Sequence, residues 1–410
     1  MIEEDVLHTL KNEIQADLLE NIIPFWSEYI IKDDDRDGFI NRMTYDGQVI
    51  NEADKSIVLH SRLLWSYSAC YKHTGQERLK KLAYRAYHYL NRYFWDEKNG
   101  GVYWKLNANG RVLVSRKYLY AQAFALYGYS EFYGAFNQPD ALTYVRDIVN
   151  CIENYAADAN YNGYVEVFTD TWQKYDDARL SDDEENYTKS TNTHLHIMEA
   201  YANVLKYWKD DRLKQRLHNI VSLFENHIAR PNHQSLYPFF YMDWTPASDL
   251  VSFGHDIEAA WLLCEAAELA EDNDQIKRIR ELSLNISRWV ANHGLNPDGS
   301  LINELDIHGN GRMDDKRHWW PQAEALVGFM NAYELSEDDI YLDKCRKLWA
   351  YIKNNIRDDQ FGEWHNCINA DGTNCKEDKV SFWKTPYHNS RAGLEIIKRI
   401  EQMVSTQLKS

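Results

Sequence analysis

The chain predicts an all-α fold, an (α/α)6 barrel of six helical hairpins, on three observations. Apolar residues recur with helical period through nearly the whole length. Two independent markers each appear six times at intervals of about 65 residues, which is the mark of a repeat architecture. A surplus amphipathic helix at the start matches a missing helix at the end. Strand-like alternation is confined to short pieces such as Gly101-Val102-Tyr103-Trp104, so β structure is expected only as short hairpin loops at the end that carries the site.

The first element is the acidic, amphipathic helix at residues 3–30. After it, turn residues close six polar loops at Gly38, Gly101, Gly163, Ser235, Gly299 and Gly362. Each loop leads into an apolar helix, and the segments RLLWSYSACY, FALYGYSEFY, HIMEAYANVL, EAAWLLCEAA, EALVGFMNAY and RAGLEIIKRI align as opening turns beginning at Arg62, Phe124, His196, Glu258, Glu324 and Arg391. Each comb has one long interval of 72 residues, and the two overlap between Gly163 and His196. A more charged helix follows each apolar one, as at 77–94 and 274–290. Helices apolar all round belong to an inner ring, and those with one wet face to an outer ring. The sixth unit stops after its inner helix near Ile400, and the helix at 3–30 can supply the absent outer partner. One barrel over residues 1–410 with no domain boundary follows, although 410 residues exceed the roughly 250–300 at which an ordinary core stops growing.

Composition limits the function. A net charge of −17 repels phosphate backbones, which argues against nucleic acid as a partner. No apolar run is long enough to span a membrane, and the acidic start lacks the basic and apolar regions of a secretory signal. The six cysteines form no CxxC, and four lie in helical patterns where a thiol acts as a small apolar group. A reduced, cytoplasmic location and a monomer are expected. With 28 Tyr, 14 Phe and 14 Trp, several of the indoles in polar loops, flat faces are available for stacking on sugar rings, although a large aromatic core would use the same residues.

All six inner helices begin at one end of the barrel, and polar residues gather there. Arg62, His196, Glu258 and Glu324 occupy the aligned axial position, and His255 and His388 lie three residues before it in units four and six. The i, i+3 step puts His255 with Glu258, and His388 with Arg391, on one helix face. Near a positive helix N-terminus an imidazole stays neutral and can accept a proton. Buried ionisable groups are costly, and repeating that cost at one end of a ring points to a site. His194 and His196, at i, i+2, do not share a helix face; no HExxH or Cys/His cluster occurs, and neither a metal nor another cofactor is expected. Trp319, Trp320 and Trp383 immediately precede inner helices and can be sugar platforms or rim anchors. The run Asp182-Asp183-Glu184-Glu185 reads as a solvated loop.

The segments NTHLHIMEAY, FGHDIEAAWLL, RHWWPQAEA and FWKTPYHNSR resemble the signature blocks of the cellobiose 2-epimerases, within the wider N-acylglucosamine 2-epimerase group. The resemblance implies an (α/α)6 barrel and cofactor-independent epimerisation at C2 of the reducing-end sugar of β-1,4-linked disaccharides. It implies that His255 and His388 are the proton-transfer pair. It further implies that Arg62, Asn192, His196 and Glu258 orient the sugar, and that Trp319, Trp320 and Trp383 stack on it. In that chemistry the ring opens, one imidazole removes the C2 proton, and the other returns a proton to the opposite face of the enediolate. Three alternatives stay open: an N-acylglucosamine or mannose 2-epimerase or aldose–ketose isomerase, a glycoside hydrolase using Glu258 with Glu324 or Asp256, and a noncatalytic binding protein.

Overall fold

Five inner helices begin directly after a short strand with an uninterrupted apolar run, and in two of them the last strand residue is a serine that caps the helix. In α3 (Ile57–Thr74) Ser56 accepts a hydrogen bond from the Leu59 amide at 3.2 Å, and Gly75, at φ 68°, ends the helix. Ser190 caps α7 (Thr191–Tyr207) through the Thr193 amide at 3.1 Å. The other inner helices are α5 (Leu119–Phe136), α9 (Phe253–Ala270), α11 (Trp319–Ser336) and α13 (Tyr387–Gln407). The outer ones are α4 (Glu77–Tyr89), α6 (Pro139–Cys151), α8 (Asp211–Leu223), α10 (Asn273–His293) and α12 (Asp339–Tyr351). These assignments come from a computed structural model, which describes residues 2–31, 38–180, 186–232, 234–307 and 314–407. The acidic run at 182–185 lies outside the described residues.

Each inner helix packs on the next, and α13 packs back on α3, so the ring closes. Close approach requires small residues: a Cβ on Gly128 of α5 would lie 2.7 Å from the Ser61 carbonyl oxygen of α3. α1 (Ile2–Asp17) runs through a π turn at 18–22 into α2 (Ile23–Glu28) and packs on α13, filling the sixth outer place as the sequence anticipated. Similar π turns end α4, α6, α8 and α12.

Six short antiparallel bridges follow the outer elements, Ile31 to Phe39, Trp95 to Val102, Ala157 to Tyr164, Ala229 to Leu236, Leu295 to Leu301 and Arg357 to Trp364. They account for the turn marker. Gly38, Gly101, Gly163, Gly299 and Gly362 all have positive φ, whereas Ser235 does not and needs no glycine. The fourth residue of an inner helix then clamps the bridge. Gln122 accepts from the Val102 amide at 2.8 Å, His194 from Tyr164 at 3.0 Å, Asp256 from Leu236 at 3.0 Å and Gln322 from Leu301 at 2.8 Å.

The strand before an inner helix pairs with the following loop. β1 (Lys55–Ser56) pairs with β2 (Lys105–Leu106), which also pairs with β3 (Val112–Val114). In the same way β4 (Lys117–Tyr118) joins β5 (Val167–Phe168), and β6 (Lys189–Ser190) joins β7 (Phe239–Phe240). β8 (Leu250–Ser252) joins β9 (Glu304–Asp306), and β10 (Arg317–His318) joins β11 (Cys367–Ile368). A bridge from Met43 to Val380 links the first loop to the last. Buried pairs Lys117–Asp96 and Lys189–Asp158, both at 2.8 Å, pin the loops further.

Two expectations need correction. The aligned positions are not opening turns: Arg62, Phe124, His196, Glu258 and Glu324 are each the sixth helical residue, because the strand caps start the helices earlier. Not all cysteines are free either. Cys70, Cys151, Cys264 and Cys345 are buried thiols, whereas Cys367 and Cys375 form a disulfide across a hairpin.

Candidate active site

Five residues beyond each helix start, a 1.5 Å rise per residue puts the aligned side chains about 7–8 Å below the rim. There the ring converges on Arg391 of α13. Its Nη2 donates to Glu258 Oε1 at 2.7 Å and to Glu324 Oε1 at 2.6 Å, and its Nη1 contacts Glu199 and the Tyr387 hydroxyl. The Tyr387 hydroxyl donates to Glu199 at 2.6 Å. Neighbouring carboxylates hold the guanidinium firmly charged against the cost of burial.

Three donors converge on Glu324: Arg391, the Trp261 indole at 3.1 Å, and His388 Nδ1 at 2.6 Å. A carboxylate receiving three donors leaves the His388 proton on Nδ1 and the Nε2 lone pair free. Burial, and after it the Arg62 and Arg391 charges, push this imidazole well below its usual range, so it is neutral. Glu258 differs. Burial, and after it the charge of Glu324, push its carboxyl well above the ordinary range, and burial raises Glu324 as well, so the proton belongs to the pair. Glu199, although buried, is held at about 2 by Arg391 and by its hydrogen bonds, and accepts from His196 Nδ1 at 3.0 Å. That contact leaves His196 Nε2 free.

His255 is the third residue of α9, with Nδ1 2.8 Å from Ser252 Oγ. Burial lowers its pKa to about 4, and the neighbouring His196 adds to the effect. It borders a cleft of about 520 Å³ that Asn192, Asp256, Arg179, Tyr237 and Glu304 also line. Asn192 Oδ1 is buried without a protein partner. The Trp320 ring centroid is 4.9 Å from that of His255 and 5.5 Å from that of His388, so one indole touches both imidazoles. Gly254 makes room for it, since a Cβ there would collide with the indole. Trp319 is turned inward, 5% exposed, with Lys384 over its ring at 5.0 Å. Trp383 is half-buried at the rim beside Tyr120, its centroid 5.8 Å from the Tyr120 ring, and its carbonyl accepts from Arg62 Nη1 at 3.1 Å. Arg62 also donates to the Tyr120 hydroxyl at 2.9 Å and lies 4.2 Å from the Phe124 ring centroid.

The sequence-predicted residues thus form one assembly, with Asn192 beside His255 along the cleft and Trp319 packed behind. Sequence reasoning missed Arg391, Glu199 and Tyr387 as its centre, and the pairing of His388 with Glu324. The signal for Arg391 was present, because it shares the aligned position with Arg62; Glu199 lies one turn beyond His196. His194 is a loop clamp, with a pKa lowered to about 4 by burial and Nδ1 bonded to the Ser190 carbonyl at 2.8 Å. The donor atoms of Glu258, Glu324 and His388 lie within 4.8 Å of one another, as a metal would require, but Arg391 already brings positive charge to both carboxylates.

A closed ring of helical hairpins around neutral imidazoles, paired acidic side chains and a half-buried indole gathers groups able to do acid–base chemistry at a polar cleft. Residues 38–392 match the family described as N-acylglucosamine 2-epimerase (GlcNAc 2-epimerase), and the chain belongs to that family. It is 41% identical over 389 residues to the cellobiose 2-epimerase of Bacteroides fragilis, covering 95% of this chain and 98% of that protein. It is 38% identical to the cellobiose 2-epimerase of Dictyoglomus turgidum, covering 96% of this chain and all of the other. The solved structure of cellobiose 2-epimerase from Bacillus thermoamylovorans superposes with a TM-score of 0.91 at 35% identity, over 96% of this chain and 100% of that one.

Proposed function

We propose that this protein is a cofactor-independent carbohydrate 2-epimerase that interconverts glucose and mannose at the reducing end of β-1,4-linked disaccharides such as cellobiose and lactose. The observation that carries the reading is the pair of neutral imidazoles, His255 and His388, against the single indole of Trp320, each with Nδ1 engaged and Nε2 available.

The C2 hydrogen becomes acidic only beside a carbonyl, so the hemiacetal opens first. Glu258, holding its proton, is the acid for that step. In the glucose-to-mannose direction His388 Nε2 takes the C2 proton, and Glu324 stabilises the resulting imidazolium through Nδ1. Arg62 and His196 face the developing cis-enediolate oxygen. As the ring opens, His255 Nε2 takes the C1 hydroxyl proton while Glu258 protonates the ring oxygen; His255 then returns its proton to the opposite face of the enediolate, ring closure restores the His388 and Glu258 protons, and the roles exchange in reverse. Trp320 and Trp383 are the stacking platforms, Trp319 packs edge-on against the His388 ring, and Asn192 binds a hydroxyl along the cleft. A single chain acts alone in the cytoplasm, folded as one domain over residues 1–410.

A hydrolase would set two carboxylates across the scissile bond. Here Glu258 and Glu324 share one Arg391 nitrogen, and Asp256 is engaged as a loop clamp. Incubation with cellobiose in deuterated water without metal or nucleotide tests the proposal. NMR should show a disaccharide of glucose and mannose with deuterium at C2, and His255→Phe and His388→Phe should each abolish the exchange. Release of monosaccharide, a ketose as the sole product, or near-normal turnover in either variant would refute it.

A further inference from the structure

One cluster of ligating side chains lies outside the proposed chemistry. It sits on the rim where β10 meets β11, just before Trp319. The register sets His318 opposite Cys367. The hairpin after β11 then brings Cys375 to the other side of Cys367, the Cys375 amide donating to the Cys367 carbonyl at 3.1 Å. Residues directly opposite on neighbouring strands point to the same face, so an imidazole and two sulfurs stand in a row. The donor atoms of His318, Cys367 and Glu377 lie within 4.8 Å of one another. In this structure the two sulfurs are joined. Glu377 also faces Lys316 Nζ at 3.7 Å, an exposed pair of the kind that is worth little and leaves the carboxylate able to turn to a metal.

A further carboxylate backs the imidazole. Asp314 is 3.4 Å from His318 Nε2 and is itself held by the Asn303 side-chain amide at 3.0 Å and the Lys316 backbone amide at 3.1 Å. Metal-binding imidazoles are commonly oriented by such an outer carboxylate. Two thiolates, an imidazole and a carboxylate form a donor set that favours Zn²⁺ over the hard cations.

We propose that the dithiol form of this hairpin binds Zn²⁺ through Cys367, Cys375, His318 and Glu377, and that the disulfide is its oxidised, metal-free state. The interconversion balances as thiol–disulfide exchange. A small dithiol gives two electrons and two protons to the Cys367–Cys375 bond and becomes a disulfide itself. Zn²⁺ then displaces both thiol protons without changing its own oxidation state. Because β10 runs directly into Trp319 and Trp320, the loaded site braces the rim beside the imidazole pair. No spacing along the chain marks the site, since its ligands come from separate strands rather than a CxxC.

Full-length protein, reduced with a phosphine and freed of excess reductant under argon, is titrated with Co²⁺. One equivalent should bind with a sulfur-to-cobalt charge-transfer band that Zn²⁺ then bleaches, and the disulfide form should give no band. Cys375→Ser and His318→Gln should each weaken binding at least tenfold, with unchanged circular dichroism. The comparison of oxidised with reduced wild type needs no variant. Absence of the band in the reduced protein overturns the proposal. So does a band that survives unchanged in the double variant Cys367→Ser/Cys375→Ser, which would have to come from the buried thiols of Cys70, Cys151, Cys264 or Cys345.

Discussion

Glu324 shows how much one carboxylate decides. It fixes the His388 tautomer and faces the charge that forms when Nε2 takes a proton. Glu324→Gln keeps the shape but removes that charge, so kcat should fall about 10²- to 10⁴-fold with little change in KM, measured by initial rates on cellobiose. The neutral imidazoles also set the acid limb. His255, lowered to about 4 chiefly by burial, stays a competent base well below its ordinary pKa of 6.5. The limb of kcat/KM assigned to His255 should therefore lie near pH 4, and a limb at 6.5 would contradict a desolvated ring. The stability sign follows. Between pH 6.5 and about 4 the unfolded chain binds a proton that the folded His255 and His194 refuse, so stability falls as the pH drops through that window. Urea midpoints measured at stepped pH should show the decline.

The start of α9 is both a helix N-terminus and the floor under an indole. Gly254 is required there because Trp320 crosses over it. Gly254→Ala should leave α9 helical yet displace Trp320 from both imidazoles. KM should rise several-fold, with a shift in tryptophan emission, and unchanged kinetics would show that Trp320 does not contact the substrate. The inner helices α5, α7, α9 and α11 join two tasks in the same way. The fourth residue clamps the preceding loop, and in α7 and α9 Asn192, His196, His255 and Glu258 face the site from the same first turns, so loop position and site geometry are coupled within one turn and a half. This is why a histidine at the fourth position, His194, is a structural neighbour, while a histidine two residues further, His196, belongs to the site.

At the scale of the molecule, ring closure depends on both ends of the chain. α1, α2 and the π turn between them bury Leu7, Leu10, Ile14, Leu18, Phe25 and Trp26. At about 1.5–3 kcal/mol for each large apolar side chain, that burial is comparable to the 5–15 kcal/mol of net stability typical of a folded domain. Removal of residues 1–30 should therefore prevent folding rather than yield a weakened enzyme, which circular dichroism and solubility of the truncated chain would check. A soluble, active truncation would show that the five complete hairpins close without the sixth outer helix.

Periodicity and repeat spacing are local properties of the chain, so residue order alone was enough to reveal the helical class, the six hairpins, the borrowed outer helix and the end at which polar residues gather. It also singled out His255, His388, Arg62, His196 and Glu258, because an aligned repeat reveals which position of every inner helix faces the axis. What those residues touch was decided by the tertiary structure. Glu324 meets His388, Arg391 gathers three acidic side chains, Trp320 lies against both imidazoles while Trp319 meets only His388, and Cys367 stands between His318 and Cys375. Such contacts join residues far apart in the chain. They depend on how the helices rotate and how the strands register when the ring closes, and no spacing along a single segment encodes that.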